Sequence, residues 1–356
     1  MGAANMKCVK RIRLAPKLGK IREKLQSRID SGRMSGMLPG VHQLAREFGV
    51  NFQTVSKALD QLECDEILYR IPNMGTFIKQ KNRIGLLAPN MPRALMETPV
   101  YAKVLLGIEE ELSLLRKTLV LWQSIPSDEQ ILNDVDGMIV FLYGTKKLQV
   151  KTALDKIPCV RIMGLVDNSE NWDHITYDNQ AIGVAAAEYL FSKGHRNCAY
   201  IGPNGENPIF AGRADSFQEK INASGGSVWR ITDDHLAIVS EDLNMVDRHR
   251  MLEIARMIAR RSPRPTGLFV PADMFACVLY GALSEAGIRP GIDIQIVSCN
   301  NENSFLMGLH PQPAVIDIHS EEIGRRAVNR IIWRMKHRKN PCEKILLKPH
   351  MIPAEA

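Results

Sequence analysis

Between Leu38 and Leu62 the chain reads LPGVHQLAREFGVNFQTVSKALDQL, two short apolar-periodic runs separated by one glycine. Val41, Leu44, Ala45 and Phe48 form a stripe at helical spacing, Gly49 breaks it, and Asn51 is placed to cap a second helix. In that helix Val55, Ala58, Leu59 and Leu62 fall at i, i+3, i+4 and i+7 and turn inward. Phe52, Gln53, Ser56, Lys57 and Asp60 are left outward. Two helices joined this tightly predict a helix-turn-helix. Amide, hydroxyl, ammonium and ring groups on the outward face suit the major groove of duplex DNA. A solvated face on an ordinary helical hairpin would carry the same pattern.

The flanks narrow the choice. Lys17 to Ser31 reads as a first helix, with Leu18, Ile21, Leu25 and Ile29 on one face and Gly32 as its stop. Leu68 to Ile78, LYRIPNMGTFI, reads as a hairpin turning at Pro72 to Gly75, where Gly75 supplies a positive φ. Three helices and a hairpin make a winged helix. Residues Leu18 to Ile78 resemble the GntR-type winged-helix DNA-binding domain. They match its LPxxxxLAxxxGVxxxTVxxAL run at Leu38, Pro39, Leu44, Ala45, Gly49, Val50, Thr54, Val55, Ala58 and Leu59, and its wing at Gly75 to Phe77. The candidate DNA contacts are His42, Asn51, Phe52, Gln53, Thr54, Ser56 and Lys57 on the helices, and Arg70, Asn73 and Gly75 on the wing. Where that family usually has arginines for phosphate and guanine, this chain has His42, Phe52 and Ser56, with Lys57 and Arg70 as the nearby cations.

Charge is segregated in the same way. The 356 residues carry a formal charge of +7, yet residues 1–83 hold 16 Lys/Arg against 7 Asp/Glu, and the remainder is slightly acidic. A basic reader attracts a polyanion, and the arm Lys7, Lys10, Arg11, Arg13 and Lys17 either follows phosphates or is a solvated tail. The length suits two or three domains, and 45% apolar residues supply ample cores. Seven cysteines without a CxxC pair read as reduced thiols. No apolar run approaches the ~20 residues of a membrane span, and no signal-peptide core follows the basic N-terminus, so a cytoplasmic protein is expected.

After a short charged connector, Lys79 to Arg83, apolar runs alternate with helical stretches. Arg83 to Pro89, Thr118 to Trp122, Gly137 to Leu142 and Pro158 to Met163 read as buried strands. The rhythm restarts at Cys198 to Gly202 and continues through Ser227 to Ile231, Gly267 to Pro271, Ile294 to Ser298 and Ala314 to Ile318. Such alternation predicts an α/β fold with two doubly wound parallel sheets, one per lobe. From Arg83 to about Ile352 the chain resembles the effector-binding domain of the LacI/GalR repressors, which is related to periplasmic sugar-binding proteins. RIGLLAPN, VDGMIV, ITYDNQAIGVAAAEYLFSKGHRNCAYIGP, AGRADSF, PTGLFVPADMF and PAVIDIHSEEIGRRAVNRII carry the likeness.

The resemblance implies a winged-helix domain over 1–78, a linker over 79–83, and an effector-binding and dimerisation domain over 84–356. Its first lobe would comprise 84–176 and 319–337, its second 177–318 and 338–356, with crossings near Tyr177, His319 and His337. A cleft between the carboxyl ends of the sheets would take a ligand. Candidate contacts there are Arg213, which matches the family's cleft arginine, Asp273 in PAD, which competes with a helix-cap role, and Asn300. On the first lobe Asn90, Tyr101, Ser124 and Tyr143 follow or border strand ends. Trp172 could stack on a sugar or cap a lobe edge, Asp178 could be a contact or a hinge residue, and His195 reads as structural. Met163, Gly164 and Ala272 replace polar residues that sugar-binding relatives often show, so a sensor that dimerises without an effector stays open.

The chain lacks GxxxxGKS/T, GxSxG and HExxH motifs and any paired metal-ligand spacing. The expectation is a regulator without catalytic residues, metal or cofactor. It would bind operator DNA and a small molecule, a sugar or derivative, and would act as a homodimer, the resemblance placing the contact on the helices around Leu105 to Leu115 and the first helix of the second lobe. An exported binding protein is the alternative that the attached reader argues against.

Overall fold

The computed structural model describes residues 16–30, 33–34, 36–65, 67–79, 82–89, 98–141, 151–164, 171–203, 208–233, 236 and 246–354. The first unit consists of α1 (Pro16–Asp30), α2 (Val41–Phe48), α3 (Phe52–Cys64) and the antiparallel strands β1 (Leu68–Ile71) and β2 (Gly75–Ile78). Ile21, Leu25, Leu44, Ala45, Val55, Ala58, Leu59 and Leu62 close into one core with Leu38 and Leu68. Gly49 takes a left-handed φ of 64°, and Asn51 Oδ1 accepts from the Gln53 N–H at 2.9 Å, capping α3. Asn73 (φ 62°) and Gly75 (φ 130°) turn the wing so that Leu68 pairs with Ile78.

The rest of the chain alternates strand and helix. The first sheet collects β3 (Arg83–Leu87), β4 (Thr118–Trp122), β5 (Gly137–Phe141), β6 (Cys159–Ile162) and β7 (Asp173–Tyr177), with α4 (Pro99–Leu114), α5 (Asp128–Asp134) and α6 (Lys151–Leu154) between them. After α7 (Asn179–Ser192) the second sheet collects β8 (Asn197–Pro203), β9 (Ser227–Asp233), β10 (Gly267–Phe269), β11 (Gln295–Cys299) and β12 (Ala314–Asp317). Its intervening helices are α8 (Pro208–Ala223), α9 (Arg248–Arg260), α10 (Asp273–Glu285) and α11 (Asn303–Leu306). The chain ends with α12 (Ser320–Lys336), β13 (Lys344–Leu347) and β14 (His350–Ile352). The sheet orders are β13-β7-β6-β5-β3-β4 and β14-β12-β11-β10-β8-β9. Among the described residues every pairing in them is parallel except β14 on β12. Strands β7, β13 and β14 are additional to those read from the sequence.

One expectation is corrected here. The third crossing between sheets falls at Lys348 and Pro349, because β13 pairs parallel with β7 from Lys344↔His174 to Leu347↔Tyr177; it does not fall near His337. Residues 338–347 therefore belong with the first lobe. A buried ion network explains this. Asp173, wholly buried, accepts from Arg334 Nε at 2.6 Å, Arg334 Nη2 at 2.7 Å, Arg330 Nη2 at 2.8 Å and the Glu343 N–H at 2.8 Å. Arg334 also donates to the carbonyls of His337, Asn340 and Pro341, wrapping the segment after α12 onto the first sheet.

Helices α4 and α12 pack backbone to backbone. A Cβ at Gly107 would collide with the Glu321 carbonyl, and one at Gly324 with the Val104 carbonyl, so both positions need glycine for the close approach. This seats α12, which leads back from the second sheet, directly against α4, whose Lys103 reaches the Asn301 carbonyl just beyond β11. The described cysteines, Cys64, Cys159, Cys198, Cys277, Cys299 and Cys342, are free, and among the described residues no helix is long and apolar enough to cross a membrane.

Candidate functional site

The reader presents Phe52, Gln53 and Lys57 to solvent from α3, with Thr54 and Ser56 half-buried beside them. His42 reaches from α2 and packs its ring on Phe52, centroids 5.2 Å apart. Asn51 spends its side-chain oxygen on the helix cap. Arg70 lies against α3 itself, its Nη1 2.6 Å from Asp60 Oδ1 and 3.4 Å from Glu63 Oε2, so the wing's arginine is partnered within the reader. Asn73 and Gly75 stand exposed at the wing tip beside Met74.

The second candidate site lies where β11 and β12 end and α4 begins. Asp273 is completely buried at the start of α10; Oδ1 accepts from the Ser298 hydroxyl at 2.5 Å and Oδ2 from the Glu302 N–H at 2.7 Å. Its helix is capped by Ala272 without a side-chain bond, so Asp273 serves as a cross-brace and not as the cap. Asn300, at φ 107°, donates from Nδ2 to Glu302 Oε2 at 3.0 Å. Burial, then the neighbouring Glu302 charge, pushes the Asp273 carboxyl well above the usual range, and burial also raises Glu302. The protonated form of both is favoured while they stay buried, so raising pH from the ordinary carboxylate range through the raised values opposes their burial.

Two contacts reach the other lobe. Lys103 Nζ on α4 donates to the Asn301 carbonyl at 2.5 Å, and the Val100 N–H in the first turn of α4 meets the Glu302 carboxylate. Asn301 Nδ2 in turn donates to Asp317 Oδ2 at 3.1 Å, beside the second crossing. Glu302 and Lys103 were not among the sequence candidates. The signal available was Glu302's place just beyond the carboxyl end of β11.

Arg213 is buried to 2% exposure. Its Nε donates to Asn179 Oδ1 at 2.9 Å and its Nη1 to the Pro271 carbonyl at 2.6 Å, with Cys299 Sγ at 3.4 Å. Its guanidinium carbon lies 5.1 Å from the centre of the Tyr177 ring. The guanidinium therefore ties together the ends of β7, β10 and β11. Burial pushes the Cys299 thiol up to about 12 despite this cation.

The remaining candidates separate. Tyr101 is buried in the first turn of α4, edge-on to Phe141 at 5.8 Å, its hydroxyl without a hydrogen-bond partner among the described residues. Asp178 caps α7, Oδ1 accepting from the Ala181 N–H at 2.9 Å. Ser124 is exposed beyond the edge strand β4. Trp172 differs from the expected ligand contact: it precedes β7, at the amino end of a parallel strand, and packs in a core with Leu87, Val140 and Leu154, away from the carboxyl ends of the sheet. His195 packs in the turn before β8, its Nδ1 3.0 Å from Thr266 Oγ1. Asn90 and Tyr143 lie outside the described residues, as do Lys7, Lys10, Arg11 and Arg13 of the arm. Among the described residues no three His, Cys, Asp or Glu side chains are grouped to hold a metal ion.

Residues 18–78 match the gntR family of bacterial regulatory proteins, and residues 187–355 match the periplasmic binding protein-like domain. The chain is a transcription regulator that joins a gntR-type domain to a periplasmic binding protein-like domain. The regulator is 24% identical over 338 residues to catabolite control protein A of Priestia megaterium, covering 88% of this chain and 97% of that protein. Its fold is similar to the periplasmic binding ribose operon repressor of Lactobacillus acidophilus, with a TM-score of 0.61 at 16% identity over 78% of this chain and 98% of the other. The transcriptional regulator CelR in complex with cellobiose gives a TM-score of 0.59 at 18% identity over 89% and 99%.

Proposed function

We propose that the regulator binds an operator duplex through α3 and the wing, and that a small polyhydroxylated molecule, a sugar or derivative, held between the lobes sets its affinity. It acts in the cytoplasm as a repressor and as a homodimer, without catalysing a reaction. The observation that carries this reading is the pair of inter-lobe contacts, Lys103 to Asn301 and Val100 to Glu302, beside Asp273 and Asn300. A molecule that displaces or joins these polar groups changes the relative placement of the lobes, because it binds one placement better than the other. The ribose and cellobiose of the related proteins' descriptions support a sugar. Exposed Leu106, Leu114, Leu115 and Leu121 on α4, just after it and on β4 support pairing through that face.

The linker carries the signal with little slack. Lys79 N–H donates to the Ile67 carbonyl on the reader side, and the Asn82 carbonyl accepts from Thr118 on the sensor side, with two residues between. A Gly/Ser spacer inserted before Asn82 is expected to leave ligand affinity intact while abolishing its effect on DNA, measured by calorimetry and by fluorescence anisotropy of labelled duplex.

Gln53→Ala is expected to weaken binding to the specific site by roughly 1–3 kcal/mol and relax the preference at one base pair, as for a lost bidentate base contact. Lys57→Ala should weaken all sequences alike and lower the salt dependence by about one charge. Unchanged binding of both variants at matched salt would reverse the orientation assigned to α3.

A further inference from the structure

The reader leaves one large apolar side chain of α3 in water. Val55, Ala58, Leu59 and Leu62 are at most 1% exposed, whereas Phe52, the first residue of the helix, is 46% exposed. The fold gains little from a phenyl ring there, since the cap comes from Asn51 and the core from the inward stripe. The ring is nonetheless fixed. His42 packs on it with centroids 5.2 Å apart and planes tilted by 34°. Cations for reading guanine are scarce around it: Lys57 is the single Lys or Arg in α3, and Arg70 is held by Asp60 and Glu63. In the major groove guanine offers only acceptors, which a phenyl ring cannot satisfy, and the one apolar group on any base edge is the C5-methyl of thymine.

We propose that Phe52, braced by His42, seats on a thymine C5-methyl, so that the operator carries a T·A pair under the first residue of α3. The inference rests on the assignment of α3 as the DNA-reading helix. Gln53, the next residue, is a bidentate partner for an adjoining adenine. The start of α3 thus reads an A/T-containing step by shape and amide, without an arginine.

The test uses the full-length protein and duplexes selected by it from a random library. In the selected duplex each thymine is replaced singly by deoxyuridine, which removes only the methyl group, and affinity is measured at fixed salt. At one or more thymines the loss should be about four-fold for the wild type, the equivalent of the ~0.8 kcal/mol carried by one buried methylene-sized group. In Phe52→Ala the same replacement should have no effect. Phe52→Arg, which keeps the exposed position occupied, should shift the selected base at that position from thymine towards guanine. If no thymine is methyl-sensitive in the wild type, or if the sensitivity persists in Phe52→Ala, the proposal is overturned while DNA reading by α3 stands. If the library yields no enriched duplex, the reading of α3 falls and takes the proposal with it.

Discussion

Arg213→Ala is expected to destabilise the regulator by on the order of 3 kcal/mol, because buried acceptors left unsatisfied cost about 1–3 kcal/mol each. The Pro271 carbonyl and Asn179 Oδ1 are the two that lose their donor. Arg213→Lys should recover only part of this, since an ammonium cannot reproduce a planar fork that reaches two directions at once. Chemical denaturation followed by tryptophan fluorescence reads the effect, and the sensor's transition should move while the winged helix retains its helical signal. An unshifted transition, with the ligand response lost, would make Arg213 an arm reaching into the cleft and not a strut beneath it.

Asp173→Ala should be at least as severe. Removing one partner of a buried ion network strands the other, at a cost of roughly 3–5 kcal/mol. Here Arg334 would keep only the carbonyls of His337, Asn340 and Pro341 and Arg330 only the half-exposed Glu343, so the segment from His337 to β13 would lose the buried carboxylate that anchors it. Amide hydrogen exchange should rise sharply over Lys344 to Leu347. The pH dependence is signed. Burial pushes the Asp173 carboxyl up, but hydrogen bonds from Arg334, Arg330 and the Glu343 N–H outweigh it and hold the carboxyl below its usual value. A depressed carboxylate contributes stability that is present above the unfolded value, near pH 4, and is lost as pH falls through the folded one. The difference between wild type and variant should therefore narrow in acid. Equal stability at neutral pH would show that the network is not what fastens β13.

The elements legible in the sequence were those whose residues decide locally. Gly49 and Asn51 fix the turn before α3, and Leu44 through Leu62 carry the helical period, so the reader could be drawn before any fold was known. The parallel strands with continuous apolar runs, such as Gly137 to Phe141, were equally plain. Strand β13 was not, because KILL has the same texture whichever sheet accepts it, and the decision is made by Asp173, 171 residues before Lys344. The candidate residues at the strand ends were legible by position only. That Asp273 and Arg213 are spent on Ser298, Glu302, Asn179 and Pro271 follows from contacts between distant segments, and no local pattern announces them. Trp172 misled for a related reason: an indole fits a ligand wall or a core equally well until the strand's direction is known.

The most direct measurement is the affinity of the full-length regulator for its selected duplex, by fluorescence anisotropy at fixed salt, with and without each member of a panel of pentoses, hexoses, disaccharides and sugar phosphates. At least one compound should raise the thermal midpoint and change operator Kd by about 5–150-fold, the range of ordinary allosteric coupling. A compound that binds and stabilises the sensor yet leaves operator Kd unchanged, in a protein whose linker is intact, would contradict a ligand-switched regulator.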